Sequence, residues 1–464
     1  MDPRTIRQVN ELWNGVYPHL ARYVLELFDR QEGDVLELGP FAGGIAQALL
    51  SQGSRLKIVI AGEPAEVFQP LEDALHGTPR AQSLMVKPSA LAPLIFLDQS
   101  FDLVIFRGAF FFLSPAILRE IYRVLRPGGL AVVGGGYGPF APASLIEAIG
   151  ARSKRLNQQL GKKWVTPDEV THMLQETALE AEISEDGGLW VLIRREAETG
   201  QRDEPDLRAA LSVGSREIAS FVGAGGKTTL MFRLAQEFVE AGCSVISTTT
   251  TKIFVPTKEQ TPCLVVEEDP AKLMELVERG LHAHGHVTVA ARRFSGGKIG
   301  GIDPELVGRM IDELPVDYVL VEADGAKKLP LKAPGDHEPV LPSRTSLLIP
   351  VVGVDAVGRS LNDDSVFRPE RVVELTGTEV GDPITPQMVA CVITHPRGLI
   401  KNVPATSRIV PLLNKVETPE GLVAGRAVAQ EVLEQANRRL ERVVLGRLFF
   451  CHPVLEVITR DGEQ

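Results

Sequence analysis

The residues best suited to chemistry are Gly223-Ala224-Gly225-Gly226-Lys227-Thr228-Thr229, between an apolar run at 218–222 and an amphipathic stretch. Glycines at this density let the backbone turn tightly and offer successive N–H groups to an anion, and a helix starting there adds positive potential. Lys227 is expected to neutralise β/γ-phosphate charge, and the Thr228 hydroxyl to ligate Mg²⁺. The full G-x-x-x-x-G-K-[ST] spacing needs glycine at 221, where Phe221 stands, but the short form G-x-x-G-K-T-T is intact. DYVLVEADGAKK (317–328) reads as a strand ending in acids. Glu322 or Asp324 would hold Mg²⁺ through water or polarise an attacking water. Asn414-Lys415-x-Glu417 ends a late strand. The threonines of STTTTKIF (247–254) either reach metal and phosphate or are simply strand formers.

A second ligand loop lies in VLELGPFAGGIAQALL (35–50), a strand, a turn and a helix carrying Glu37-x-Gly39-x-x-x-Gly43. Glu63 ends the next strand, 20 residues beyond Gly43, where an acid can accept both hydroxyls of a ribose. Arg107 and Tyr137 follow strand ends and either line a pocket or serve the core.

Residues 33–195 resemble class I S-adenosylmethionine-dependent methyltransferases, on ELGPFAGG, FDLVIF and LREIYRVLRPGGLAVVG. The resemblance implies a seven-stranded sheet ending in a reversed hairpin. It places Gly39 and Gly43 beside the methionine moiety of S-adenosylmethionine and Glu63 on its ribose, with Glu37 shaping the loop. Phe41 stands where the family has its middle glycine, and 85–93 supplies no acid to face the adenine amine. Further along, the short loop resembles that of Mur-ligase-type ATPases. Glu322-x-x-Gly325 resembles the second switch of metallochaperone-type GTPases, which implies that Gly325 presents its N–H to a γ-phosphate. Asn414-Lys415-x-Glu417 resembles the guanine-reading N-K-x-D motif, which implies an acid accepting from the guanine amine and ring N–H. Glutamate for aspartate there leaves GTP against ATP open.

Over 215–460, VGAGGKTTLM, ISTTTTKIF, VEADGAKKLPLKAPGDHEPVLP, VVGVDAVGRSLND and LLNKVE together resemble the YqeC family of selenium-dependent molybdenum hydroxylase accessory proteins. That resemblance implies a nucleotide-hydrolysing maturation factor whose partner is a molybdenum hydroxylase or a selenium-donor protein. The alternatives are a small-molecule kinase or ligase using ATP, and a nucleotide-switched binding scaffold with an inactive methyltransferase domain. Lys332, His337 and Glu338, in LKAPGDHEP, either contact substrate or partner or belong to a solvated loop.

These loops require elements to hold them. The chain has 464 residues, enough for two or three domains. Its periodicity reads as α/β throughout: a Rossmann-like domain over 1–197, a linker over 198–214, and a P-loop α/β domain over 215–464. Expected strands include 101–106, 130–136, 286–291, 346–355 and the apolar run MVACVIT (388–394), and a third small subdomain is placed within 355–405. No internal repeat is visible. Hydrophobic residues at 44% and charged residues at 23% exclude large-scale disorder. The 49 basic and 60 acidic residues leave a net charge of −11, which argues against coating nucleic acid or anionic membranes. Cys243, Cys263, Cys391 and Cys451 form no C-x-x-C pair, which fits a reducing cytoplasm. No signal peptide or membrane span is readable.

Overall fold

The computed structural model describes residues 1–75, 78–162, 165–197, 206–436, 438–460 and 462–463. The chain divides into two compact units, Met1–Arg202 with Phe449–Cys451, and Asp203–Leu448 with His452–Gln464.

The first unit is built on strands β1 (Glu32–Leu38), β2 (Arg55–Gly62), β3 (Leu84–Pro88), β4 (Phe101–Arg107), β5 (Leu125–Gly136), β6 (Glu182–Ser184) and β7 (Gly188–Arg194). Their order is β3-β2-β1-β4-β5-β7-β6, parallel through β5, with β7 antiparallel to β5 and β6 antiparallel to β7. β1 is buried from Gly33 onward and β4 along its whole length, because both faces of these central strands are covered. The helix Pro115–Val124 starts at Ser114, whose hydroxyl accepts from the Ile117 N–H, and buries Ile117, Leu118, Ile121 and Val124 on one face. Arg126 follows it into β5. Its guanidinium donates to Asp34 (2.9 Å) and Asp102 (2.8 Å), tying the starts of β1 and β4 together. The arginine of the RPGG signature therefore works on the opposite end of the sheet from any ligand loop.

The second unit contains β8 (Glu217–Gly223), β9 (Val245–Thr249), β10 (Lys252–Phe254), β11 (Leu264–Val266), β12 (His286–Ala290), β13 (Arg292–Phe294), β14 (Lys298–Gly300) and β15 (Tyr318–Glu322). There follow β16 (Leu331–Lys332), β17 (Leu347–Gly353), β18 (Val366–Phe367), β19 (Arg408–Ile409), β20 (Leu412–Asn414), β21 (Arg442–Gly446), β22 (Val454–Thr459) and β23 (Gly462–Glu463). The main sheet runs β11-β12-β9-β15-β8-β17-β20-β21-β22-β23, with β19 also on β17. It is parallel through β21. β9 and β15 lie on one side of β8 and β17 on the other. The order thus switches at β8, and the loop after it opens at the carboxyl end of the sheet, where doubly wound folds open a ligand crevice. β10, β14 and β13 form a separate antiparallel sheet, and β16 pairs with β18.

Three expectations need correction. MVACVIT is not a strand but most of the helix Pro386–Thr394. Thr385 caps it, with its hydroxyl accepting from Met388 N–H, and Pro386 opens it. Short wholly apolar runs carry no periodicity to separate a buried helix from a buried strand. The linker expected over 198–214 is shorter. Residues 198–205 lie outside the described residues, but Leu207–Ala210 is already helical, and Leu207, Ala210 and Leu211 are buried with Phe221 and Phe238 in the second unit's core. The stretch 355–405 is no subdomain: Leu361, Val372, Ile384 and Met388 share one apolar core with Val352 and Leu413 of the main sheet.

Candidate functional site

β8 runs two residues further than the full phosphate-loop spacing would allow. Phe221 is a buried strand residue in register with Glu322, so no glycine is needed there. The turn starts at Gly223 (φ +94°) and continues through Gly225 (φ +81°) and Gly226 (φ +143°). A side chain at Gly223 would stand 2.3 Å from the Val351 carbonyl, and one at Gly225 would stand 2.5 Å from the Gly353 nitrogen. The loop is thus pressed against β17. The helix Lys227–Glu240 begins immediately, and its first N–H groups have no carbonyl of their own helix to bond.

The side chains converge on this turn. Lys227 is buried, donates to the Gly223 carbonyl (2.6 Å), and has its Nζ 3.0 Å from Asp324 and 3.7 Å from Glu322. Burial opposes its charge, but Asp324 and Glu322 outweigh that and hold the ammonium above its ordinary value. Glu322, the last residue of β15, accepts the Thr228 hydroxyl at 2.6 Å. Burial raises its carboxyl above the usual range, with Lys227 and Thr228 pulling the other way. Asp324 accepts the Gly223 N–H through Oδ2 (2.9 Å), while its Oδ1 receives no aligned hydrogen bond despite the Lys227 ammonium beside it.

A glycine cradle, a helix start, a buried ammonium and a hydroxyl facing carboxylates are donors that fit a polyphosphate. Thr228, Glu322 and Asp324 are oxygen groups that fit Mg²⁺, directly or through water. Thr229 is exposed on the helix, and Ala224 donates its N–H to the Val351 carbonyl (2.9 Å).

The remaining sequence candidates divide. Asn414 donates to the Gly225 carbonyl (2.7 Å) and accepts from Leu448 N–H (2.9 Å), so its amide ties the glycine loop to the segment after β21. Lys415, at φ +66°, pairs with Asp355 (3.0 Å), and Glu417 is buried. Thr249 and Thr250 donate to the Glu322 and Val340 carbonyls, which ties the threonine run to the strand ends. Gly325 gives its carbonyl to the ammonium of Lys332 (2.6 Å). Lys332 is fully buried, with its Nζ 3.0 Å from Asp324 and 2.8 Å from Glu338, and Arg368 completes this chain at 2.7 Å from Glu338. Burial opposes the Glu338 charge, but Arg368 and Lys332 prevail and bring its carboxyl down to about 2. His337 is exposed. Sequence reasoning missed Arg368, because only the pairing of β16 with β18 brings it to this loop. Cys391 lies on the helix Pro386–Thr394, and burial pushes its thiol and that of Cys263 up, away from a nucleophilic thiolate.

In the first unit, the glycine turn follows β1 at the switch between β1 and β4. Gly39 (φ +94°) and Gly43 (φ +107°) both adopt left-handed backbone, and Gly62 packs on the Gly39 backbone. Glu37 is not free for a ligand. It is fully buried and accepts from Ala46 N–H (2.8 Å) and Ile45 N–H (3.3 Å), which caps the helix Gly44–Ser51; burial raises its carboxyl. Glu63 is exposed just beyond β2. Phe41 is buried, and Arg107 at the end of β4 donates to its carbonyl (3.1 Å), to Tyr17 (2.9 Å) and to Asn10 (2.9 Å). The guanidinium faces the Trp13, Tyr17 and Phe41 rings, and Tyr137 stacks on Trp13 at 4.8 Å. The turn and the Glu63 carboxylate fit a ribose-bearing cofactor, while the Phe106 ring of β4 closes on Gly39 and Phe41 packs between the Arg107 guanidinium and Gly108.

A family described as "Methyltransferase domain" matches residues 36–133, and one described as "YqeC protein" matches 219–370. "Uncharacterized protein YqeC" of Escherichia coli (strain K12) is 32% identical over 229 residues, 49% of this chain and 86% of that protein. Among solved structures, a Methanococcus maripaludis protein of the S-adenosyl-L-methionine-dependent methyltransferase type is 24% identical. It covers 43% of this chain and 95% of that one, with a TM-score of 0.36. A SAM-dependent methyltransferase from Aquifex aeolicus is 18% identical, covering 42% and 99%, with a TM-score of 0.30. Among the described residues, no helix is long and apolar enough to cross a membrane. The chain belongs to the YqeC family, and in it the YqeC segment follows a methyltransferase domain.

Proposed function

We propose that the second unit is a P-loop nucleotide-binding module that turns over GTP or ATP with Mg²⁺ in the cytoplasm. Its role would be to assist selenium cofactor biosynthesis or insertion in a molybdenum hydroxylase, through contact with that enzyme or a selenium-donor protein. The observation that carries the nucleotide reading is the buried Lys227 ammonium at the start of a helix, flanked by Asp324 and by Glu322, which holds the Thr228 hydroxyl. Mg²⁺ would neutralise phosphate charge from Thr228 and the two acids. Native mass spectrometry of the purified chain with Mg²⁺ and equimolar GTP and ATP is expected to show one nucleotide per chain. No adduct with either would overturn the reading.

The first unit, in the same proposal, binds S-adenosylmethionine through the Gly39 and Gly43 turn and Glu63. Calorimetry is expected to give saturable binding that weakens about tenfold or more in Glu63→Ala, since one carboxylate accepting two hydroxyl bonds is lost. Equal binding in that variant would remove Glu63 from the site. The packing of Phe41 under Arg107 favours a second reading, a unit that binds the cofactor without transferring its methyl group. Retained radiolabelled methyl in the presence of a hydroxylase partner would support that reading, and its transfer would exclude it.

A further inference from the structure

A cavity of about 510 Å³ opens beside the loop after β15, walled by the small sheet β10-β14-β13, Gly325–Lys327 and the β18 end. Five of its lining residues are cationic: Lys252, Arg292, Lys298, Lys327 and Arg368. Glu338 is the one acid among its lining residues, and its charge is already committed to Lys332 and Arg368. Among the described residues, no carboxylate stands within ion-pair distance of Lys252, Arg292, Lys298 or Lys327. In a chain of net charge −11, such a concentration of unneutralised cations is a local reversal of the field. Aromatic faces hold the cations without neutralising them: the Lys252 ammonium sits 4.3 Å from the Phe294 ring centre, and the Lys298 ammonium 5.0 Å from that of Phe254.

The cavity also communicates with the glycine loop. Its wall residue Gly325 accepts Lys332, Lys332 pairs with Asp324, and Asp324 pairs with Lys227. A series of alternating charges therefore runs from the half-buried Arg368 and Glu338 to the buried Lys332, Asp324 and Lys227. Each member depends on its neighbours for compensation, so occupancy at one end changes the field at the other.

The geometry points to this cavity as the site of a second substrate, an anionic small molecule carrying phosphate or carboxylate groups, seated beside the γ-phosphate end of the nucleotide. The assignment of that end rests on the nucleotide reading of the glycine loop, whereas the cation cluster itself does not.

The test uses inorganic pyrophosphate as probe, titrated calorimetrically into the full chain. Two backgrounds keep it off the glycine loop: wild type saturated with a non-hydrolysable nucleotide and Mg²⁺, and Lys227→Ala. One equivalent is expected to bind in each, and about tenfold or more weakly once Arg292→Ala and Lys298→Ala are combined with it. Both residues are exposed on short strands, so circular dichroism is expected to report unchanged folding. Binding is also expected to weaken as salt rises, because the cations face solvent. Absence of saturable pyrophosphate binding in either background, or equal affinity after the double substitution, would overturn the site. Nucleotide affinity is measured separately on the same proteins. Its absence, with pyrophosphate still bound to Lys227→Ala, would sink the nucleotide reading and leave the cation site standing.

Discussion

Lys227→Ala is expected to lower nucleotide affinity by about a hundredfold or more, the range seen when one partner of a desolvated charge contact is truncated. The same substitution is expected to cost about 3–5 kcal/mol of stability, because it leaves Glu322 buried without its cation and Asp324 with Lys332 alone. Calorimetry and urea unfolding read the two effects separately. Lys227→Arg distinguishes them further. A guanidinium keeps the charge and recovers most of the stability, but its planar fork does not reproduce the point contact of an ammonium in a cradle this tight, so affinity stays low. Wild-type affinity in a folded Lys227→Ala protein would show that the loop holds no phosphate and that the lysine is only a structural ion partner.

That lysine also marks how far the sequence could be read. The two glycine turns and the strands leading into them follow from local patterns: apolar runs, glycines where φ is positive, and proline and capping residues at helix starts. The reversed hairpin after 130–136 was legible only through the family resemblance. What the sequence concealed is non-local. Glu37 is expected to shape the loop, but its partners, the Ala46 and Ile45 N–H groups, are ones that only the backbone path brings within reach. Asn414 stands in a base-reading motif and braces Gly225 instead. The segment 388–394 is ambiguous for a different reason, since six consecutive apolar residues contain no period. The cation cavity draws residues from β10, β13, β14 and the β18 end, and nothing in the spacing from Lys252 to Arg368 announces that they meet.

Glu322→Gln isolates the chemical step from binding. The glutamine oxygen can still accept the Thr228 hydroxyl, so the substitution is nearly isosteric and nucleotide affinity is expected to stay within a few-fold. If the carboxylate orders metal-bound water or draws a proton from the attacking group, turnover falls by about 10²–10⁴. The pH profile carries the sharper signature. Burial raises the Glu322 carboxyl above its ordinary value, so its proton persists into a range where exposed carboxylates are ionised. Turnover by the native chain should therefore climb through an ionisation above the usual carboxylate range, and Glu322→Gln should lack that limb. Stability has the opposite sign. A carboxyl with a raised folded pKa stabilises the fold while protonated, in full below its unfolded value of about 4.3, and loses that contribution as pH rises through the folded value. Glutamine mimics the protonated group at every pH, so at neutral pH the variant is expected to melt no lower than the native chain. A variant that melts lower and keeps its turnover would reassign Glu322 from catalysis to charge balance around Lys227.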